Sequence, residues 1–545
     1  MLGVDFTPWF RFTGTAGQAI VSKTAAYLIT DSRYWIQAAN QIDSNWYLIQ
    51  AGYADTPKDW VEWLIDNVRD SQIGIDARTL CCTKAIELRN RLRPKGSKLV
   101  YPPQNLIDLV WKDKPSRPRE PIYIHPIQFT GKSTLDKLAD IRSLIRKTPP
   151  LTTPNSESAR PTADKYHVAT LIPALDSICE QLRGSTIGGK TYCLAAYILN
   201  LRGQDIPFNP LFQSYLMITL DKAILFVDPA RLTDDIEDYL KTIYVDTRGY
   251  NDLWSYIRMR EWGEGKVRFM LYVSVSRVLS AWLLKVIITP ESSYAIALML
   301  THFRYTVVPS FVNPMKAIKN DTEIDGMRRA CLRDSASFVR FLAWFEDKFA
   351  QGYEISEYDA AFRLTSYRRT NKHFMGLARE IISASGPNAA LPHYSLNKST
   401  TAIIDRDAPY LIDSGGRYDD GACAIARTWI SGQPTADHCK AYTQVLQRHI
   451  AIDRAIFAEG TTGHQLDALF GNNPEVGHGV GLLNMHEFPH PSPHNGTLAP
   501  GHVIANESGF CKSLLAYVKA VIDLRSQTFP ESSAFVLNPL SPCDE

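Results

Sequence analysis

Cysteine is sparse and unpatterned in this 545-residue chain: nine in all, with no C-x-x-C pair and no even framework. Cys81 and Cys82 are adjacent and do not easily bridge each other. A disulfide-stapled secreted scaffold is therefore excluded, and a reduced, cytoplasmic compartment is expected. An excess of one charge is also missing. Lys and Arg number 59 against 57 Asp and Glu, a formal net charge of +2. No strong pull toward nucleic acid or an anionic membrane follows. An unbroken apolar span is absent as well. Val267 to Lys285 is rich in apolar residues, but Arg268, Arg277 and Lys285 interrupt any membrane-crossing run of ~20 residues. The opening MLGVDFTPWF has no basic region ahead of an apolar one, so no secretory signal is expected.

What is present suits two or three globular domains with real cores, at 45% apolar and 21% charged residues. Ala25 to Thr30 reads as a short strand, Asp31-Ser32 as a turn, Tyr34 to Asn40 as helix and Ile73 to Asp76 as a strand end. Together they spell an α/β unit. KPSRPREP, Lys114 to Pro121, reads as a stiff linker. Tyr197 to Ile218 and Lys222 to Asp228 predict two strands around an LRG turn. Lys316 to Leu332 predicts a helix capped by Asn320 or Asp321, with helix continuing from Arg333 to Phe349. Thr435 to Ala458 predicts a long helix, and strands through Val503, Val518 and Phe535 close the chain's last unit.

One motif is set aside. GSTIGGKT, Gly184 to Thr191, fits the phosphate-cradling G-x-x-x-x-G-K-[ST] pattern. A phosphate loop needs a strand before it, and the preceding SICEQLR reads as helix. No nucleotide site is expected.

The stretch from Tyr410 to Lys519 carries the chemistry. It holds LIDSGGRYDDG (Leu411 to Gly421), GHGVGLLNMHEF (Gly477 to Phe488) and ANESGF (Ala505 to Phe510). An acidic turn, a His flanked by Gly and an isolated Glu lie beside apolar, strand-like runs. Divalent metals are held by carboxylate oxygen and imidazole nitrogen gathered from separate strands. The alternative reading of Asp413 and Glu507 is as turn-capping acids.

These motifs resemble the Xaa-Pro aminopeptidase P family of pita-bread metallopeptidases. The likeness extends to FTGTAG (Phe12 to Gly17), Ala25 to Trp46, Tyr197 to Asp228 and KAIKN-x-x-E-x-x-GMRRA from Lys316. It implies an α+β and α/β multidomain protein. Residues 1–121 would form a creatinase-like N-terminal domain with a short start. Residues 122–313 would form a second such domain, interrupted near Cys179 to Leu194 and Val267 to Lys285. Residues 314–545 would form the pita-bread peptidase domain.

The resemblance also implies a site. Asp413, His478 and Glu507 fall at metal-ligand positions, and His393, His486 and Glu507 at catalytic ones. Two further ligand positions of the family hold Ala424 and Lys519. In the family those two carboxylates are shared by both ions, which stand roughly 3.5–4 Å apart. A third family His falls at Pro474, and an orienting Arg at Tyr517. Lys519 is expected to pair with Asp413 and Glu507 in place of a metal. The family uses two manganese or zinc ions per subunit; zero or one is expected here. The implied substrates are peptides with proline second, cleaved ahead of it, and the implied assembly is a homodimer. The alternative expectation is an inactive scaffold of the same fold that binds peptides or dimerises.

Overall fold

The computed structural model describes residues 12–148, 167–174, 194–262, 285–463, 465–466, 477–487, 497–506, 509–511, 515–517, 520–523 and 534–536, apart from positions 15, 54, 115, 117, 118, 302, 303, 392 and 484. The GSTIGGKT motif, residues 267–284, Pro474, Glu507 and Lys519 lie outside them.

The first unit is a three-stranded sheet. Gln18–Val21 runs antiparallel to Ala26–Thr30, which runs parallel to Trp46–Gln50. The helix Trp35–Gln41 follows the central strand, as the sequence predicts. Phe12, Leu28, Tyr34 and Ala38 form its small core.

The second unit is a six-stranded mixed sheet among the described residues. Its order is Val245–Gly249, Ala223–Val227, Ser214–Thr219, His167–Ala174, Lys285–Ile288, Tyr305–Val307. Side chains alternate across a strand with period two, so the four inner strands feed two cores. Leu216, Ile218, Leu225, Val227 and Ile287 point into one. Tyr215, Met217, Ile224, Phe226, Val286 and Ile288 point into the other, shared with Leu64, Leu88 and Leu92 from the first quarter of the chain. Backbone bonds stitch the same seam: Cys82 N to Ser292 O at 2.9 Å, Tyr294 N to Leu80 O at 2.8 Å.

One expectation is corrected here. The two predicted strands do not flank the LRG turn. Leu194–Ile198 is helical, Leu201–Arg202 is a two-residue strand paired with Tyr123–Ile124, and the hairpin forms between Ser214–Thr219 and Ala223–Val227. A short apolar run reads equally as buried helix or strand.

The third unit is built on the 30-residue helix Asp321–Ala350. Asn320 and Glu323 form a reciprocal capping box at its start, satisfying two amide groups the helix leaves open. Phe338, Phe341, Phe345 and Phe349 recur at helical spacing on one buried face. Phe345 stacks on Tyr410 at 5.3 Å and 4° and meets Trp429 edge-on at 5.5 Å. Each such Phe stabilises by about 2 kcal/mol on burial. They fix the helix against the antiparallel sheet Ile382–Ser385, Tyr410–Ser414, Ile425–Trp429. A second small sheet, Phe374–Leu377, Gly416–Tyr418, Gly421–Ala422, continues the same chain around a bend. The bend needs Gly415: a Cβ there would stand 1.8 Å from Cys423 O.

Two structural expectations fare differently near the end. Helix Ala436–Asp453 stops before Ala458, because Ile456–Ala458 pairs as a strand with Ala534–Val536. Strands at Val503–Asn506 and Ala534–Val536 match the prediction, and Val518 lies outside the described residues.

Candidate metal centre

Asp413 sits in the middle strand of its sheet, opposite Ile382 on one side and Ala426 on the other. The residue is 4% exposed. A buried carboxylate needs donors or a cation. One oxygen has that: Arg379 Nη1 lies 2.6 Å from Asp413 Oδ2. The other, Oδ1, is buried and accepts no hydrogen bond. The cation beside Asp413 is thus a guanidinium from 34 residues upstream, to which nothing in the sequence draws attention. Arg379 lies on an irregular segment between two strands, where no periodicity announces it.

The strand that carries Asp413 is braced from behind. Ser414 Oγ accepts from Arg368 Nη2 at 3.0 Å, and Arg368 makes a two-pronged pair with Asp334 at 2.9 and 2.7 Å. Both charged side chains are wholly buried. Tyr418 OH and Gly416 N also donate to Asp334 Oδ1, at 2.9 and 3.1 Å. This network locks the long helix, the helix Glu357–Arg368 and the Asp413 strand into one body.

Ala424 is 2% exposed, and packs with Ala378, Ala422 and Met485. The position expected to have lost a carboxylate is a small apolar nest.

His478 is the middle residue of Gly477–Gly479, opposite Ala505 of Val503–Asn506. Gly477 permits this approach. It has φ +134, and a Cβ there would come within 1.6 Å of Ala505 O. His478 Nδ1 donates to Gly479 O at 3.0 Å, so the Nε2 edge carries the imidazole lone pair. That is the tautomer a metal takes. Glu487 N donates to Gly479 O at 2.7 Å and folds the 485–487 segment back beside His478. His486 thereby meets His478 edge-on, ring centroids 4.0 Å apart. Glu487 itself turns away, 1% exposed, toward Lys316 at 3.3 Å and Lys319 at 3.7 Å.

His393 is reached from the far end of the chain. Its ring stacks on Tyr34 at 5.2 Å and 5°, and the Arg33 guanidinium lies 5.5 Å from the centre of the Tyr34 ring. In the sequence Tyr34 reads only as the start of a helix; its partner is 359 positions away, and nothing local reveals it.

The structure therefore brings together His478 with His486, and Asp413 with Arg379. Asp413 and His478 stand on separate sheets. Glu507 and Lys519 lie outside the described residues, so the expected pairing of Lys519 with Asp413 is neither seen nor replaced there; Arg379 is the cation found. Among the described residues, no group of three or more His, Cys, Asp or Glu is placed to hold a metal ion. Of the described groups, one Asp413 oxygen is taken by a guanidinium, and Ala424 brings a methyl group to a position where the resemblance implies a carboxylate. No described helix is long and apolar enough to cross a membrane.

The chain is similar to known proteins along most of its length. Residues 325–521 match the model of metallopeptidase family M24, and residues 6–108 and 193–323 match creatinase/prolidase N-terminal domains. A protein of Laccaria bicolor named "Probable Xaa-Pro aminopeptidase P" is 37% identical over 92% of this chain and 72% of its own length. One of Aspergillus fumigatus with the same name is 36% identical over 92% of this chain and 72% of its own. The crystal structure of X-prolyl aminopeptidase from Caenorhabditis elegans, described as a cytosolic enzyme with a di-nuclear active site, superimposes with a TM-score of 0.83 at 29% identity, over 98% of this chain and 82% of that one. The expected order of two creatinase-type units and a pita-bread peptidase unit is thus met, and the chain belongs to the Xaa-Pro aminopeptidase P family of M24 metallopeptidases.

Proposed function

We propose that this chain holds peptides with proline at the second position and cleaves them weakly or not at all, because its metal site has been rebuilt around an internal cation. The observation that carries this is the Asp413–Arg379 ion pair. A guanidinium beside a carboxylate offsets charge as a metal does, but it is permanently protonated and makes no hydroxide at neutral pH. The apolar packing of Ala424 supports the same reading, since a buried methyl group supplies neither charge nor ligand. By the resemblance, the second altered ligand position is held by Lys519, an amine in place of a carboxylate. One manganese or zinc ion at most is expected, on His478, Glu507 and the open Asp413 oxygen. We further propose that His393 and His486 line the peptide pocket, that the domains divide near residues 121 and 313, and that the protein is a cytoplasmic homodimer.

An active one-ion hydrolase is the second reading. It is favoured by the His478 tautomer, whose Nδ1 bond to Gly479 O presents Nε2 as a ligand nitrogen.

Metal content after dialysis, and turnover of proline-containing peptides with added manganese, separate the two. The proposal expects no more than one ion per chain and no proline-dependent cleavage above background. Two tightly held ions, or cleavage abolished by His478→Ala, would defeat it. Joint replacement Arg379→Leu, Ala424→Asp and Lys519→Glu is expected to restore metal uptake.

A further inference from the structure

A cavity lies between the middle unit and the start of the peptidase unit, apart from the Asp413 site. It has room for about one water-sized sphere. Lys137, Arg202, Lys316 and Lys319 line it, with Glu323 and Glu487. All six are at least 95% buried. Among the described lining groups, four cations face two carboxylates.

The carboxylates already have work. Glu323 closes the helix cap by accepting from Asn320 N at 3.1 Å, and Glu487 stands between Lys316 and Lys319. Lys137 Nζ donates to neutral acceptors, Tyr197 O at 2.8 Å and Asn200 Oδ1 at 2.7 Å, which take two of its three protons without cancelling its charge. Lys319 is the sharpest case. It is 1% exposed, its Nζ makes no hydrogen bond, and the closest paired carboxylate oxygen is 3.7 Å away. An ammonium group buried without a hydrogen bond is costly unless something supplies one.

We propose that this cavity binds a single chloride ion, held by Lys319 and its basic neighbours, which joins the two units it touches. A small cavity of this kind suits a monoatomic anion better than an oxyanion such as phosphate. Burial pushes the ammonium groups of both Lys319 and Lys137 down, Lys137 to about 7, the direction that an anion in the cavity would oppose. The inference is independent of whether the chain cleaves peptides.

The test is thermal unfolding of the full-length protein at constant ionic strength, with sodium gluconate replaced stepwise by sodium chloride or bromide. The expected result is a saturable rise in Tm of several degrees, because a ligand of the folded state alone stabilises it by mass action. Bulk salt effects differ in form: they do not saturate at low concentration, and they favour the more strongly excluded anion. Lys319→Met is expected to lose the rise. No saturable rise, or the same rise in Lys319→Met, overturns the proposal; so does a rise that saturates only with gluconate. Should Lys319→Met fail to fold, bromide-soaked wild-type crystals decide. An anomalous peak within hydrogen-bond distance of Lys319 Nζ supports the site, and an empty or water-filled cavity sinks it.

Discussion

Arg379 Nη1 and Asp413 Oδ2 lie 2.6 Å apart, on a carboxylate whose second oxygen is buried without a hydrogen bond. Arg379→Met keeps the apolar stem and removes the charge. Leaving a buried carboxylate alone costs about 3 kcal/mol. The variant's Tm is expected to fall, and millimolar manganese to recover part of the loss, while the wild type responds little. An unchanged Tm in the variant would mean that the pair contributes nothing.

The Asp334–Arg368 pair makes a stronger demand. Both groups are fully buried, and three further polar groups converge on them: Ser414 Oγ, Gly416 N and Tyr418 OH. Arg368→Ala is expected to destabilise by about 4 kcal/mol, seen as an earlier urea midpoint of the peptidase unit. Asp334→Leu with Arg368→Met should cost less than either single change, since no charge is left stranded.

Two glycines separate backbone strain from collision. Gly460 has φ +86, and a Cβ added there would meet nothing within 4 Å, whereas at Gly477 (φ +134) the added Cβ would stand 1.6 Å from Ala505 O. Gly460→Ala is expected to cost about 1 kcal/mol. Gly477→Ala should cost several times more and displace His478. Circular dichroism melts of the two variants provide the comparison.

His125 supplies a pH signature. Burial, then the neighbouring Arg202 guanidinium, pushes it down to about 2 from 6.5. Its Nδ1 accepts from Arg202 Nη2 at 2.7 Å, and its Nε2 donates to Asp419 O at 2.7 Å, so the folded protein holds it neutral. The unfolded chain takes up a proton below 6.5 and the folded one does not. The His125 contribution is therefore full above pH 6.5 and shrinks as pH falls toward about 2, by about 1.4 kcal/mol per pH unit. The stability gap between wild type and His125→Gln should narrow from pH 7 to pH 5. A constant gap would refute the assignment.

Local signals are legible in the sequence and distant ones are not. The capping box at Asn320 and Glu323 is written within four residues, and the strand that carries Asp413 within five. The close approach at His478 is announced by its two flanking glycines. Arg379, by contrast, lies between strands and becomes important only through a partner 34 residues away. The strand Ile456–Ala458 reads as helix in the sequence because the residues it pairs with, Ala534–Val536, lie far along the chain. Around the Lys319 cavity, Lys316, Lys319 and Glu323 share one short stretch, but Lys137, Arg202 and Glu487 join them from distant ones, so the cluster is only half written locally.

The face-on stack of Tyr34 and His393 has a consequence for modularity. The wall behind His393, proposed above to line the peptide pocket, is built by the residue that caps the helix Trp35–Gln41, hundreds of residues before the peptidase fold begins. A recombinant fragment beginning at the long helix would be missing that wall, so the peptidase unit of this chain is not a portable cassette.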